Sequence, residues 1–324
     1  GLIDTDWLNT IFRKASVSQT SLSITGGNEK SKYSFTGSYL NQKGIIIGTD
    51  YEKFSSNINL ITQINDKLKI GFSINPMYSN GDTLDMEGGG RTYNLVQMAT
   101  TMYPFFAPRD SKGNLIISQQ IKDNTATDGA LVENPVAIAE MTKRHYTLFK
   151  TFGNIYGELE VLKDIKYELS IGGDYTNYEY NFFDPSNVGS YRTAAPDVTV
   201  ANRVDYITKN YIVENLLTFD KRIGQHNFNT LLGQSFQQED RNYVKISATG
   251  FPDNSIPNIA GGTSFKTDVD QFKWTLISYF GRLAYDYKNK YNVMASLRRD
   301  GSSRFGANSK WGNFYAFSLG WTIS

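Results

Sequence analysis

Apolar and polar residues alternate along much of this chain with a period of two. The clearest stretch begins at Ile165, where alternate positions fall into two sets. One set is Ile165, Tyr167, Leu169, Ile171, Gly173 and Tyr175, and the other is Lys166, Glu168, Ser170, Gly172, Asp174 and Thr176. Because successive side chains of a β-strand point to opposite sides, this stretch predicts a strand with one apolar face and one polar face.

The same alternation recurs later in the chain and, with weaker stretches, predicts about eleven strands. We place them near 18–26, 32–41, 51–65, 68–79, 146–162, 165–181, 204–220, 226–241, 271–287, 290–300 and 313–324. Several of these exceed ten residues. Strands of soluble proteins centre on about 5–6 residues, whereas a strand that crosses a bilayer needs roughly 9–11.

The connections between these strands alternate between short and long. The short ones are 26–30, 65–67, 163–164, 222–225 and 288–289, and the long ones are 41–50, 80–145, 182–203, 242–270 and 301–312. Outer-membrane barrels combine short periplasmic turns with long extracellular loops. We therefore predict one all-β domain over 1–324, part of an antiparallel transmembrane β-barrel, with 80–145, 182–203, 242–270 and 301–312 outside the cell. Without this alternation of turn lengths, a soluble sheet is an equally good interpretation.

Composition narrows the functions that such a chain can have. Lys and Arg number 33 against 32 Asp and Glu, so the chain lacks the basic excess typical of nucleic-acid binding. Cysteine is absent, which excludes disulfide frameworks and thiol nucleophiles. No apolar run approaches the roughly 18 residues of a membrane helix. Bilayer crossing, if it occurs, must therefore use strands.

Catalytic and metal-binding patterns are poorly represented. His145 and His226 are the two histidines, and neither has a second ligand at metal-binding spacing, so we interpret them as turn or interface residues. The glycines at 88–90 lack the strand–helix context of a phosphate loop. Residues 123–129 lack the closing Glu of a calcium loop. We expect no catalytic residues, no metal site and no cofactor, and we do not expect an enzyme.

The longest connection contains the first candidate group for ligand contact. A helix is predicted at 92–102, and Tyr103, Phe105 and Phe106 follow it. Their rings can stack on sugar rings, pack against a partner or form a small loop core. Tyr178, Tyr180, Phe182 and Phe183 form a second aromatic group. They can make the same contacts at the outer end of a strand, but we prefer to interpret them as a membrane girdle or a loop core.

Arg298 and Arg299 are the second candidate for ligand contact, because they belong to the densest group of charges. Asp300 and Arg304 lie close by in the sequence. One hypothesis is that they contact a ligand or a plug inside the barrel or at its mouth. The interpretation that we favour is a solvated extracellular loop with internal ion pairs.

Two stretches resemble a known family. The end of the chain reads YFGRLAYDYKNKYNVMASLRRDGSSRFGANSKWGNFYAFSLGWTIS, and the segment 5–55 begins TDWLNTIFRKASVSQTSLSITGG. Both resemble barrel portions of the SusC/RagA family of TonB-dependent outer-membrane transporters. The run SLRRDGSSRFG at 296–306 is the most specific part, and Asn134-Pro135-Val136-Ala137 also fits.

The resemblance implies a function that periodicity alone does not. The family has a 22-stranded barrel filled by a plug and works with a SusD-like surface lipoprotein and the TonB energising complex. Its usual cargoes are oligosaccharides or peptides, imported through the outer membrane. This chain has about half of the strands and no plug, so we expect a partial barrel that does not insert alone, since its unpaired strand edges would lie in lipid. A passive outer-membrane pore and a soluble glycan-binding sandwich are the alternatives.

Overall fold

The structure is a computed structural model that describes residues 3–84, 95–119, 132–188, 198–306 and 309–323. Within these residues eleven long strands form one antiparallel sheet, in which each strand pairs with the next along the chain. The strands are β1 Val17–Gly27, β2 Ser31–Lys43, β3 Asp50–Gln63, β4 Leu68–Asp82, β5 Ser118–Gln119, β6 Val132–Glu133, β7 Lys143–Leu162, β8 Ile165–Asp184, β9 Val200–Ile223, β10 His226–Thr249, β11 Ser264–Tyr287, β12 Tyr291–Ser302 and β13 Trp311–Trp321. The short strands β5 and β6 pair only with each other. All eleven predicted strands are present, which confirms the predicted antiparallel architecture.

The tight turns lie at one edge of the sheet, and their backbone geometry is that of hairpins. Lys288 and Asn289 have φ angles of 58° and 52°, and a type I′ turn requires positive φ at both central residues. Asp164 and Gly224 also adopt positive φ at their turns. Tight turns fix the register of the strands that they join, so each face of the sheet continues from strand to strand. We call the opposite edge the long-loop edge.

The strands extend further toward the long-loop edge than the alternation predicts. Strands β9, β10 and β11 have 24 residues each. The connection from β8 to β9 therefore shrinks to 185–199 and that from β10 to β11 to 250–263, inside the predicted 182–203 and 242–270. Because a tilted strand crosses the hydrocarbon layer in roughly 9–11 residues, about half of each of these strands extends beyond it.

One face of the sheet carries a continuous band of exposed apolar side chains. We call it the outer face, and it contains Ile171, which pairs with Ile155 and Val213. Its large apolar residues include Leu22, Ile24, Tyr33, Phe54, Leu60, Phe72, Ile155, Ile171, Tyr211, Leu217, Leu232, Tyr279, Leu283, Leu297, Tyr315, Phe317 and Leu319. On β8 the band runs from Ile165 to Tyr175, and tilted strands of this length give a height of about 25 Å.

The opposite, inner face is largely polar beside this band, with scattered rings such as Phe152 and Phe280. Glu158 pairs with Glu168 there, and Ser170 and Asp174 share the same face of β8. This agrees with the expectation that these carboxylates face the lumen of a barrel, since lumen walls are polar. The apolar band and the polar inner wall together have the pattern of a membrane-spanning barrel segment.

Near the long-loop edge the polarity of the two faces reverses. On the outer face Arg203 donates hydrogen bonds to Glu179 and Asp205 at 2.9 and 3.0 Å. In the same strands Tyr178 and Tyr206 pair on the inner face. An outer surface of ion pairs is costly in hydrocarbon and ordinary in water. The part of the sheet near the long-loop edge is therefore suited to contact with water.

Three short helices pack at the long-loop edge, α1 Trp7–Ile11, α2 Leu95–Thr101 and α3 Pro135–Met141. The predicted helix at 92–102 is confirmed over α2, while 92–94 lie outside the described residues. Apolar residues of all three helices form one core with Ile46, Leu84 and Val188. We call this unit the cap, and it joins three different long connections. None of the described helices is long and apolar enough to cross a membrane.

Candidate functional site

Asn134 holds the cap together. Its side chain is fully buried, and its Oδ1 accepts hydrogen bonds from the backbone of Val136 and Ala137, which caps α3. Its Nδ2 donates to the carbonyls of Pro108 and Ile116 at 2.7 and 2.8 Å. All polar atoms of this amide therefore take part in hydrogen bonds. One residue thus fixes the start of α3 and holds it against two loop segments.

The first candidate group, Tyr103, Phe105 and Phe106, forms a compact ring cluster on the cap. Ring centroids lie 4.7 Å apart between Phe105 and Phe106 and 5.2 Å apart between Tyr103 and Phe105. Trp7 Nε1 donates to the carbonyl of Tyr103 at 2.9 Å, which ties the cluster to α1. Phe106 packs against the cap core, whereas Tyr103 and Phe105 are 40% and 54% exposed. The group thus combines one core ring with two rings that are free to meet a ligand.

The second candidate group does not form one site, because β12 sends Arg298 and Arg299 to opposite faces. Arg298 pairs with Phe280 on the inner face, donates to Asp300 at 2.7 Å and to Ser278 at 3.0 Å. Arg299 lies on the outer face, 5.1 Å from the ring centroid of Trp311. The internal ion pair that we favoured is present for Arg298, although on a strand rather than in a loop.

Aromatic residues line the inner face near the long-loop edge. Tyr178 pairs with Tyr206, which pairs in turn with Tyr243. We call the whole set the inner aromatic collar, and it comprises Tyr146, Tyr178, Tyr180, Phe182, Tyr206, Tyr243, Phe272 and Trp274. Rings of this kind offer flat apolar faces beside hydrogen-bonding groups, and their position at the mouth makes the collar a candidate ligand surface.

The collar corrects one interpretation of the second aromatic group. Tyr178, Tyr180 and Phe182 face inward, so a lipid-facing girdle is wrong for them. Phe183 points outward and is buried with Ala201 and Ala248 in a small core under the 250–263 connection, as the loop-core interpretation predicts. The sequence alone predicts that Phe183 faces the other way from Tyr178, Tyr180 and Phe182, because odd and even positions of β8 lie on opposite faces.

The histidines and loop carboxylates have structural partners. His145 Nδ1 lies 2.7 Å from Asp82 Oδ1, and His226 Nδ1 lies 2.6 Å from the Tyr285 hydroxyl. Hydrogen bonds from the side chain and backbone of Asn114 lower the pKa of Asp110 below its usual value. Across the described residues no group of three His, Asp or Glu side chains is placed to hold a metal ion. The segments 88–90 and 123–129 lie outside the described residues.

The sequence is similar to those of known outer-membrane receptors. No protein-family profile matches the chain. It is 27% identical over 330 residues to TonB-dependent receptor P3 of Formosa agariphila, covering 100% of this chain and 32% of that protein. It is also 27% identical over 345 residues to TonB-dependent receptor SusC of Bacteroides thetaiotaomicron, covering 100% of this chain and 33% of that receptor.

A solved structure agrees with these relatives at the level of the fold. The RagAB peptide transporter superposes with a TM-score of 0.79 at 21% identity, over 98% of this chain and 35% of the matched one. The chain thus spans about a third of the length of the proteins that it matches. The sequence relatives, the eleven-stranded sheet and the apolar band lead to one conclusion. The chain has the fold of part of an outer-membrane β-barrel and is similar in sequence to a stretch of SusC-like TonB-dependent receptors.

Proposed function

We propose that this chain forms part of the wall of a transporter that imports nutrients across the outer membrane with energy from the TonB complex. The observation that carries the proposal is the reversal of polarity along the sheet. Below, an apolar outer face meets outer-membrane lipid and the inner face is largely polar. Above, the outer face carries the ion pairs of Arg203 and Lys273 and the inner face carries the aromatic collar, so the strands form a vestibule that can collect cargo.

The long-loop edge is proposed to face the outside of the cell. The strands extend beyond the apolar band only at this edge, and the cap packs at the same edge. The segments 80–145, 182–203, 242–270 and 301–312 are then extracellular, as outer-membrane barrels arrange their long loops. The tight turns at 163–164, 224–225 and 288–289 are then periplasmic.

Tyr103 and Phe105 are proposed to contact cargo or a SusD-like surface lipoprotein. Both are exposed on the cap, which its own core holds in place. Phe106 supports them from below. Arg298 faces the lumen, where it contacts cargo or a plug, and Arg299 marks the outer interface. Oligosaccharides or peptides are the proposed cargo classes, since one matched structure is named a peptide transporter and aromatic rings suit sugars equally.

Uptake measurements with and without the energising complex test this proposal. The complete gene product is expressed in its own outer membrane, and labelled oligosaccharide and peptide mixtures are supplied. We expect accumulation that stops when the TonB complex is deleted, while surface binding persists. Uptake that continues unchanged without the complex would instead identify a passive pore. A gene for a surface lipoprotein beside the gene of this chain supports the lid partner.

A further inference from the structure

A stack of arginines and aromatic rings occupies the collar on β9, β10 and β11. The guanidinium carbon of Arg304 lies 4.5 Å from the ring centroid of Trp274 and 5.1 Å from that of Phe272. Arg241 lies 5.9 Å from Phe272 and 5.8 Å from Tyr206. All three rings and Arg241 belong to the inner face. We call these five residues the arginine ladder.

The two arginines of the ladder differ in their charge partners. Arg241 forms an ion pair with Glu239, its Nη2 lying 3.0 Å from Oε1. For Arg304, which is exposed, no ion pair with a carboxylate occurs within the described part of the chain. A guanidinium whose face rests on a ring still presents its N–H edge, and that edge matches a carboxylate in a bidentate arrangement.

The ladder also contains polar hydrogens that lack acceptors. Trp274 Nε1 and Arg241 Nε are buried without a hydrogen-bond partner among the described residues, as is Thr208 Oγ1 beside Arg241. A buried donor without an acceptor is unfavourable, because the hydrogen bond that it made with water is not replaced. These three atoms have almost no accessible surface, so an incoming group first meets the exposed edge of Arg304.

The backbone around the ladder favours a sugar over a peptide. Strands β9, β10 and β11 are paired on both sides, so no strand edge is available for an extended peptide to join. The side chains that a ligand can contact are flat rings and hydrogen-bonding groups. One of these rings is Phe272, which is 40% exposed. Flat rings stack on the apolar faces of sugar rings, and Arg304 supplies the anion-binding edge.

We propose that the arginine ladder binds carboxylate-bearing rings of an acidic oligosaccharide. The proposal rests on the proposed import function and names the class of cargo that the vestibule selects. Arg304 binds the carboxylate, Trp274 and Phe272 stack on the sugar ring, and Arg241 with Glu239 contacts the hydroxyls. Because the preference for an acid is carried by an exposed arginine, substitution there removes selectivity without disturbing the strand pairing.

Calorimetry on the complete gene product in detergent tests the ladder with a matched pair of probes. The probes are hexagalacturonate and its fully methyl-esterified form, in which each ring loses its charge and gains one methyl group. We expect the wild-type protein to bind the acid at least about tenfold more tightly than the ester, as a charge-assisted hydrogen bond would give. R304Q is expected to bring the two within about threefold, and R304K to lie between.

Lys273 supplies the matched control variant. It lies between Phe272 and Trp274 in the sequence but on the outer face, near Asp240, so K273Q removes the same charge at the same height and should keep the preference. The proposal is overturned if the wild type binds neither probe or both equally, if R304Q keeps the preference, or if K273Q loses it. Tighter binding of hexaglutamate than of hexagalacturonate would assign a peptide cargo and also overturn it.

The binding test separates this proposal from the proposed import function. Calorimetry in detergent needs no energising complex, so its result does not depend on whether uptake is TonB-driven. Uptake that is independent of TonB would defeat the import function and leave the acid preference standing. Conversely, a TonB-dependent uptake of neutral cargo that R304Q does not alter, with no acid preference in calorimetry, would defeat only the ladder.

Discussion

Lysine substitutions at two positions of one strand test whether the outer face changes its surroundings along its length. Leu232 and Val244 both lie on the outer face of β10. Leu232 is 55% exposed between Leu217 and Gly281, in the middle of the apolar band. Val244 pairs with Asp205, one of the partners of Arg203.

The strand geometry gives the height of each position. At about 3.3 Å per residue the two are about 40 Å apart along the strand, and a tilt of about 40° makes the height difference about 30 Å. Because the apolar band is about 25 Å tall and Leu232 lies near its middle, Val244 stands above its upper limit. A lysine on the lipid face costs about 2–4 kcal/mol at the bilayer midplane and about 0–1 near the interface.

We therefore expect L232K to lower the free energy of unfolding by about 3 kcal/mol and V244K by less than about 1. The complete gene product is folded into phospholipid vesicles, and guanidinium unfolding is measured alongside heat-modifiable migration on gels. L231K places the same charge on the neighbouring residue, which faces inward. It should lower the free energy of unfolding by less than about 1 kcal/mol, as V244K does. Equal losses for L232K and V244K would refute the reversal of polarity on which the proposed function rests.

Further predictions concern the cap. N134A removes a helix cap and two hydrogen bonds to part-buried carbonyls, for which we expect about 3 kcal/mol of local stability to be lost. The backbone amides of α3 should then exchange hydrogen about a hundredfold faster in mass spectrometry. N258A is the control, because Asn258 is an exposed cap with a single acceptor bond to Ala260, and exchange elsewhere should not change. F106A is expected to increase proteolysis of the cap, whereas F105A leaves it resistant and weakens only surface binding; equal sensitivity of the two variants would contradict the division into core and exposed rings.

The existence and order of the strands can be predicted from the sequence because both depend on local patterns. A strand with one face in lipid must alternate, and the stretch from Ile165 to Tyr175 does so over its full length. The tight turns carry their own signals, such as Lys288-Asn289, whose backbone takes positive φ in the structure. Since each strand pairs with its neighbour in the chain, no long-range information is needed for the topology.

The upper ends of the strands are harder to predict, because a strand that stands in water needs no apolar face. Lys245 and Asp268 pair with each other in β10 and β11, inside the predicted connection 242–270. β10 ends at Thr249, directly before Gly250, which has a φ of 74°. The faces of Arg298 and Arg299 follow from alternation alone, and grouping them by sequence proximity ignored it.

The cap and the arginine ladder depend on contacts between distant parts of the chain. Trp7 and Leu95 share a core with Val136, and no periodicity connects these three segments. Asn134 is recognisable as a helix cap before Pro135, but its bonds to Pro108 and Ile116 require the folded loop. Arg304 likewise reaches Trp274 only because β12 pairs with β11.

The reversal of polarity and the cap together explain why the candidate ligand surface lies where it does. The lumen wall beside the apolar band is largely polar, because in a barrel it faces water or a plug, and its rings, such as Phe152 and Phe280, are scattered among polar residues. Above the band the outer face no longer needs apolar residues, and its ion pairs, such as Arg203 with Glu179, keep it in water. The aromatic residues of those rows are then free to turn inward. The ladder of Trp274 with Arg304 stands in the part of these strands that exceeds what the bilayer requires, so under the proposed function the 24-residue length of β9 to β11 serves the binding of cargo.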